Sequence, residues 1–146
     1  RGHLVPSGDR TATERDNSLT FLMTNIFPQS SENNRGPWRE LEDYGRDLVY
    51  QQGKALYVIA GVYGDQGSVG KVTVPGRVWK VIVVLDSIDD EIDRATEVIA
   101  VDMPNRKSIE SDWQQYRTTV DRIEIATGYD LLSAVPERIQ SVVESQ

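Results

Sequence analysis

Three apolar, β-prone segments in the middle of the chain limit what it can fold into. Val78 to Leu85 (VWKVIVVL) is the clearest strand, and Leu56 to Tyr63 (LYVIAGVY) and Glu97 to Met103 (EVIAVDM) flank it. Gly64-Asp65-Gln66-Gly67 and the acidic stretch Asp86 to Asp93 separate them as turns. A short strand is expected at Val72 to Val74.

Helical patterning frames this sheet. From a start between Ser31 and Trp38 to about Gln52, Trp38, Leu41, Leu48 and Val49 recur at 3/4 spacing on one apolar face. Gly53 sits where a C-terminal cap belongs, and Pro37 restricts the first turn. Val120 to Thr127 reads as a helix closed by Gly128, and Pro136 to Ser145 as a terminal helix. Residues 1–17 read as a strand end running into a long loop. Ser18 to Ile26 is expected as a buried strand, Trp113 to Thr119 as extended, and Leu131 to Val135 as a last short strand. The sum is an α+β domain with a mainly antiparallel central sheet flanked by helices. Residues 1–146 form one domain, with no repeat, low-complexity tract or internal boundary.

Composition removes several chemistries. Cysteine is absent, so disulfides, thiolate metal sites and cysteine nucleophiles are excluded within this segment. No apolar run is long enough to span a bilayer. The first residue is Arg rather than Met, which reads as a processed or partial chain. Net charge is −7, unevenly spread: residues 1–54 carry 7 basic and 8 acidic groups, and residues 55–146 carry 9 and 15. That balance argues against a tight nucleic-acid binder, which usually shows a basic patch. It leaves open a turnover enzyme that needs only local positive charge.

His3 is the only histidine. Asn34 follows in Asn33-Asn34-Arg35-Gly36-Pro37-Trp38, then Glu42 and Arg46. Taken singly, each has a structural reading: a surface histidine, a turn or cap amide, and an exposed i, i+4 ion pair. Positions 34, 38, 42 and 46 step by four. A helix reaching back to Asn34 would carry them as one slowly drifting stripe facing a common site. One imidazole, one amide, one carboxylate and one guanidinium suit metal-assisted phosphodiester cleavage. The tryptophans Trp38, Trp79 and Trp113 are read as core. The acidic group Asp86, Asp89, Asp90, Glu91 and Asp93 lacks calcium-loop spacing and is read as a solvated turn.

The ordered set Arg1-Gly2-His3, Pro6-Ser7-Gly8-Asp9-Arg10, Thr24-Asn25-Ile26-Phe27-Pro28-Gln29, Asn34 with Gly36 and Trp38, Leu41-Glu42 with Arg46, Trp79-Lys80-Val81-Ile82, Tyr116-Arg117 and Glu124-x-x-Thr127-Gly128 resembles the DNA/RNA non-specific endonuclease family. These are ββα-metal (His-Me finger) nucleases with an Asp-Arg-Gly-His signature, and the match is to the cyanobacterial extracellular branch. The resemblance implies a metal-dependent, sugar-non-specific endonuclease that cuts single- or double-stranded DNA and RNA to 5′-phosphate ends. His3 would be the general base and Asn34 the sole direct protein ligand of Mg²⁺, with Mn²⁺ an alternative. Glu42 would orient metal waters, Arg46 and Arg1 would stabilise charge on the phosphate, and Asn25 would support the site. The signature's aspartate, an upstream arginine and upstream strands have no counterpart among these residues. The chain is therefore expected to be the C-terminal part of the nuclease domain, with its own N-terminal segment as a partner. A protein inhibitor and a secreted or periplasmic location are further implications. A narrower DNase, or a catalytically incomplete fragment or binding module of the same fold, is the alternative.

Overall fold

The computed structural model describes residues 1–146. Its centre is a four-stranded antiparallel sheet ordered β3 (Ala55–Tyr63), β6 (Arg77–Leu85), β7 (Glu97–Pro104) and β8 (Arg117–Thr118). Small two-stranded ribbons are β1 (Gly2–His3) with β2 (Ile26–Phe27), and β4 (Ser68–Val69) with β5 (Val72–Thr73). The helices are α1 (Glu14–Leu19), α2 (Ser31–Arg35), α3 (Pro37–Gln52), α4 (Val120–Thr127) and α5 (Glu137–Val143). No helix is long and apolar enough to cross a membrane.

Strand β6 is buried on both faces, so its period of two divides the core in half. Val78, Ile82 and Val84 point to one side and pack with Ile99, Val101 and Met103 of β7 and with Trp38, Leu41 and Leu48 of α3. Trp79, Val81, Val83 and Leu85 point to the other and pack with Val98, Ala100, Val120, Ile123, Leu132 and Val143. The result is three layers, with α3 on one face and α4 and α5 on the other. All three tryptophans are core residues, as expected.

Helix α3 begins at Pro37, whose missing N–H costs nothing in the first turn, and ends at Gly53 with φ 69°. Its buried stripe is Trp38, Leu41, Gly45 and Leu48. Val49 lies at the edge of that stripe and is exposed. The start at Pro37 falls within the expected range, and the helix does not reach back to Asn34, which lies on the separate helix α2. Gly36 separates the two helices: its N–H closes α2 on the Glu32 carbonyl (3.0 Å), and its own carbonyl accepts from Glu40 N at 3.0 Å to open α3. The four-step stripe 34, 38, 42, 46 therefore does not exist as one helical face.

Ser18 to Ile26 is not a buried strand. Thr13 caps α1, its Oγ1 accepting from Asp16 N at 3.0 Å, and a run of turns carries the chain to Asn25. Phe21, Leu22 and Met23 are exposed, and only Ile26–Phe27 is extended. Local capping and turn hydrogen bonds outweigh β propensity here. Trp113–Tyr116 is a 3₁₀ turn, with strand only at Arg117–Thr118. Leu131 to Val135 is a bend rather than a strand. Gln140 Nε2 donates to both the Leu132 and Val135 carbonyls at 2.8 Å, taking acceptors a strand would need.

A Cβ at Gly36 would lie 2.6 Å from the Glu32 carbonyl oxygen. Gly36→Ala should force the α2–α3 junction apart at a cost of about 1–3 kcal/mol, read as a lowered urea midpoint. An unchanged midpoint would mean the junction tolerates the methyl group.

Candidate active site

The segment bearing His3 is fixed by pairing and by side chains. His3 lies opposite Ile26 in the β1–β2 ribbon, and Leu4 N donates to the Asn25 carbonyl at 3.0 Å. The Asn25 amide clamps the next residue at both ends: Oδ1 accepts from Val5 N (2.9 Å), and Nδ2 donates to Val5 O and Thr20 O (2.8 Å each). Trp38 Nε1 donates to the His3 carbonyl at 3.2 Å, which ties the ribbon to α3. The imidazole is half-buried and meets the Phe21 ring edge-on, with centroids 5.0 Å apart. Its Nε2 is enclosed and has no hydrogen-bond partner. Burial holds the His3 pKa below its ordinary 6.5. An enclosed, unpartnered polar nitrogen is rare in a settled core and calls for an explanation.

The two adjacent asparagines have opposite fates. Asn33 is fully buried, with Nδ2 donating to the Pro104 carbonyl at 3.0 Å and Oδ1 accepting from Gln29. Asn34 is only partly buried, and its amide makes no hydrogen bond within the chain. Asn105 anchors the start of α2 from across the molecule. Its Oδ1 accepts from Ser30 N (2.7 Å), while Nδ2 donates to Pro28 O (2.9 Å) and Pro75 O (2.8 Å).

Glu42 and Arg46 do not pair with each other. Glu42 projects from the buried side of α3 and meets Lys80 Nζ of β6 at 3.6 Å. Lys80 is 3% exposed and sits 4.0 Å from the centroid of the Trp38 ring, a cation–π contact. Burial pushes the Glu42 carboxyl up and the Lys80 ammonium down, and the opposite charge of each partner resists the shift. Arg46 reaches Asp9 Oδ1 at 2.8 Å and Asp43 Oδ1 at 2.5 Å. Arg1 is exposed, with no hydrogen bond or ion pair.

One set of contacts thus links His3 to Trp38, Trp38 to Lys80 and Lys80 to Glu42. Asn34 stands on the helix immediately before α3. A cleft of about 790 Å³ is lined by Asp9, Asn25, Glu42, Arg46 and Lys80, with apolar residues of β3 opposite. His3 and Asn34 do not line it, so the cleft bounds only part of the set. Sequence reasoning left Lys80, Asp9, Phe21 and Asn105 without roles. Of these only Lys80 carried a signal, as the one charge inside VWKVIVVL. The acidic stretch Asp86 to Asp93 is a solvated turn, with Asp90 accepting from Ser87 N and Asp93 from Ala95 N at 2.8 Å each.

The donors around Asn34 fit a hard cation. A free amide oxygen is available and no thiolate or second imidazole competes, which suits an ion that keeps most of its waters. A separate group of three carboxylates, Asp121, Glu124 and Glu144, could also hold a metal ion.

Removing the Lys80 charge should leave Glu42 buried without a partner. Lys80→Met is expected to cost about 3–5 kcal/mol at neutral pH, measured by urea unfolding. The loss should be smaller near pH 4, where Glu42 can take up a proton. An equal loss at both pH values would show that packing, not charge, is what Lys80 supplies.

The family model described as DNA/RNA non-specific endonuclease matches residues 1–138. A nuclease of Nostoc sp. is 51% identical over 151 residues, covering 100% of this chain and 55% of the relative. A nuclease of Serratia marcescens is 29% identical, again over 100% of this chain and 55% of the relative. The chain therefore spans about half the length of these relatives. Among solved structures, that of the EndoG/EndoGI complex, which concerns EndoG inhibition, superposes with a TM-score of 0.69 at 24% identity, covering 88% of this chain and 56% of that one. This likeness establishes the fold alone. With the match across residues 1–138, the chain belongs to the DNA/RNA non-specific endonuclease family.

Proposed function

We propose that the intact protein is a metal-dependent endonuclease that hydrolyses phosphodiester bonds in DNA and RNA, single- or double-stranded, to 5′-phosphate ends. The observation that carries this reading is the contact path from His3 through Trp38 and Lys80 to Glu42. It fixes a base-bearing strand relative to a carboxylate on a helix. In this reading a neutral His3 ring nitrogen takes the proton of the attacking water. Glu42, held by Lys80, accepts hydrogen bonds from water and orients it. Arg46, with Arg1 as a second cation, offsets charge on the phosphate. Asn25 keeps the His3 strand in register, and the Asn34 amide oxygen would hold the metal. When bound, Mg²⁺, or Mn²⁺ in its place, supplies Lewis-acid stabilisation of the leaving 3′ oxygen.

Every one of these groups acts on the phosphate, which DNA and RNA share and which carries no base identity. Broad substrate range follows from that. Such an activity endangers the cell that makes it, which favours a secreted or periplasmic location and a protein inhibitor as a partner.

Plasmid nicking and RNA degradation by the intact protein test the proposal. Cleavage of both should require Mg²⁺, stop with EDTA, and fall about 10²–10⁴-fold in His3→Ala. Asn34→Ala should remove it by loss of metal. Cleavage that survives His3→Ala would remove that residue as base. An intact protein that cleaves neither polymer would make this a binding module, and one that spares RNA a narrower DNase.

The pH profile gives a second check. The base must be neutral, so activity is present above the His3 pKa and is lost as pH falls through it. Because burial lowers that pKa below 6.5, the acid limb of kcat/KM should be centred below 6.5. A limb centred above 6.5 would count against His3 as the base.

A further inference from the structure

On the face of the sheet opposite α3, three carboxylates converge. Asp121 and Glu124 stand one turn apart on α4, and Glu144 follows α5. Each offers an oxygen within 4.8 Å of the others. The two helices are tied at this point by Asp121 N donating to the Glu144 carbonyl at 3.3 Å. Glu124 spends Oε1 on Leu131 N (2.7 Å), which leaves its second oxygen free.

Glu144 sets this group apart from an ordinary acidic surface. It is only 6% exposed, and its Oε1 is enclosed with no hydrogen-bond partner. None of the chain's ion pairs includes Asp121, Glu124 or Glu144. The charges acting on Glu144 are all negative: after burial itself, Glu124, Asp121 and Asp130 push its carboxyl up to about 6. A buried carboxylate without a donor or a cation is costly. Here the cost falls beside two more carboxylates, and no basic side chain relieves it.

We propose that Asp121, Glu124 and Glu144 form a structural Ca²⁺ site that pins α4 to the end of α5. The ligands are all oxygen, which selects a hard cation. Ca²⁺ accepts several carboxylates in a flexible shell, whereas Mg²⁺ keeps most of its waters and takes one or two carboxylates. Backbone carbonyls and water would complete the shell. The site lies across the sheet from His3, Asn34 and Glu42, and its test does not depend on nuclease activity.

The experiment uses the intact protein carrying Asn34→Ala, so that the proposed catalytic metal does not contribute. After chelator treatment, Ca²⁺ titration calorimetry should report one site. About 1 mM Ca²⁺ should raise the melting temperature by about 5 °C or more. Adding Asp121→Asn, an exposed change that preserves shape, should weaken Ca²⁺ binding about tenfold or more and abolish most of the shift. Glu144→Gln should remove binding altogether. If Glu144→Gln does not fold, the Asp121→Asn comparison decides alone. The proposal is overturned if Ca²⁺ neither binds nor shifts melting up to ~10 mM. It is also overturned if the shift is unchanged in Asp121→Asn, or if Mg²⁺ gives the larger Asp121-dependent shift.

Discussion

A buried ammonium in the middle of the most apolar strand is the constraint on which the rest of the site depends. Lys80 lies between Trp79 and Val81 in a strand with no exposed residue beyond it, so its charge cannot reach water. It must be answered inside the protein. Glu42 and the face of Trp38 answer it. Those two residues are four apart on α3, so satisfying Lys80 sets both the rotation and the depth of that helix on the sheet. Trp38 passes the constraint on through its indole N–H, which holds the His3 carbonyl. A single desolvated charge thus fixes the helix that bears Glu42 and Arg46 relative to the strand that bears His3. Apolar packing alone would allow the helix to slide, because it is not directional.

The two faces of the sheet are built differently. On the α3 side the core is interrupted by paired polar groups: Lys80 with Glu42, Asn33 with Pro104, and Asn105 with Ser30, Pro28 and Pro75. These are long-range contacts, and they make the placement of α2 and α3 specific. On the other side Val120, Ile123 and Val143 close an apolar core. Two discordant elements stand there: the buried Trp79 Nε1, which has no hydrogen-bond partner, and the carboxylate group at the helix ends. The proposed catalytic groups and the proposed Ca²⁺ site therefore lie on opposite faces of one sheet.

What could be read from the residues followed their periodicity. Strands β3, β6 and β7 and helix α3 have strong patterns over seven or more residues, and they stand within a residue or two of where the patterns put them. The apolar run Phe21-Leu22-Met23 misled because hydrophobicity does not say whether a segment finds a strand partner, and these three residues stay exposed in a run of turns. The pattern at Asn34 to Arg46 ran through Gly36 without a visible break, since a spacing of four survives on paper whether or not the backbone continues. Pro37 hinted at the junction, but only the approach of Gly36 to Glu32 fixes it. The pairing of Glu42 with Lys80 spans two elements far apart in the chain, and no local pattern encodes that. The charge within VWKVIVVL is the one local sign of a buried partner.

Acidity fits this architecture better than a net charge of −7 suggests for a protein acting on polyanions. Of the cations near the cleft, Lys80 is consumed internally by Glu42. Arg46 is shared between Asp9 and Asp43, so a phosphate must compete with two carboxylates for it. A guanidinium has five donors in a fixed fork, so it can turn one edge to a phosphate while a carboxylate keeps another. Under the proposed activity this lowers ground-state affinity for any phosphate, product included. It costs less in the transition state, where charge on the phosphate oxygens is greatest and attracts the same fork more strongly. The surrounding carboxylates thus work against tight binding of substrate and product alike, which is what turnover on an abundant, repetitive polymer requires.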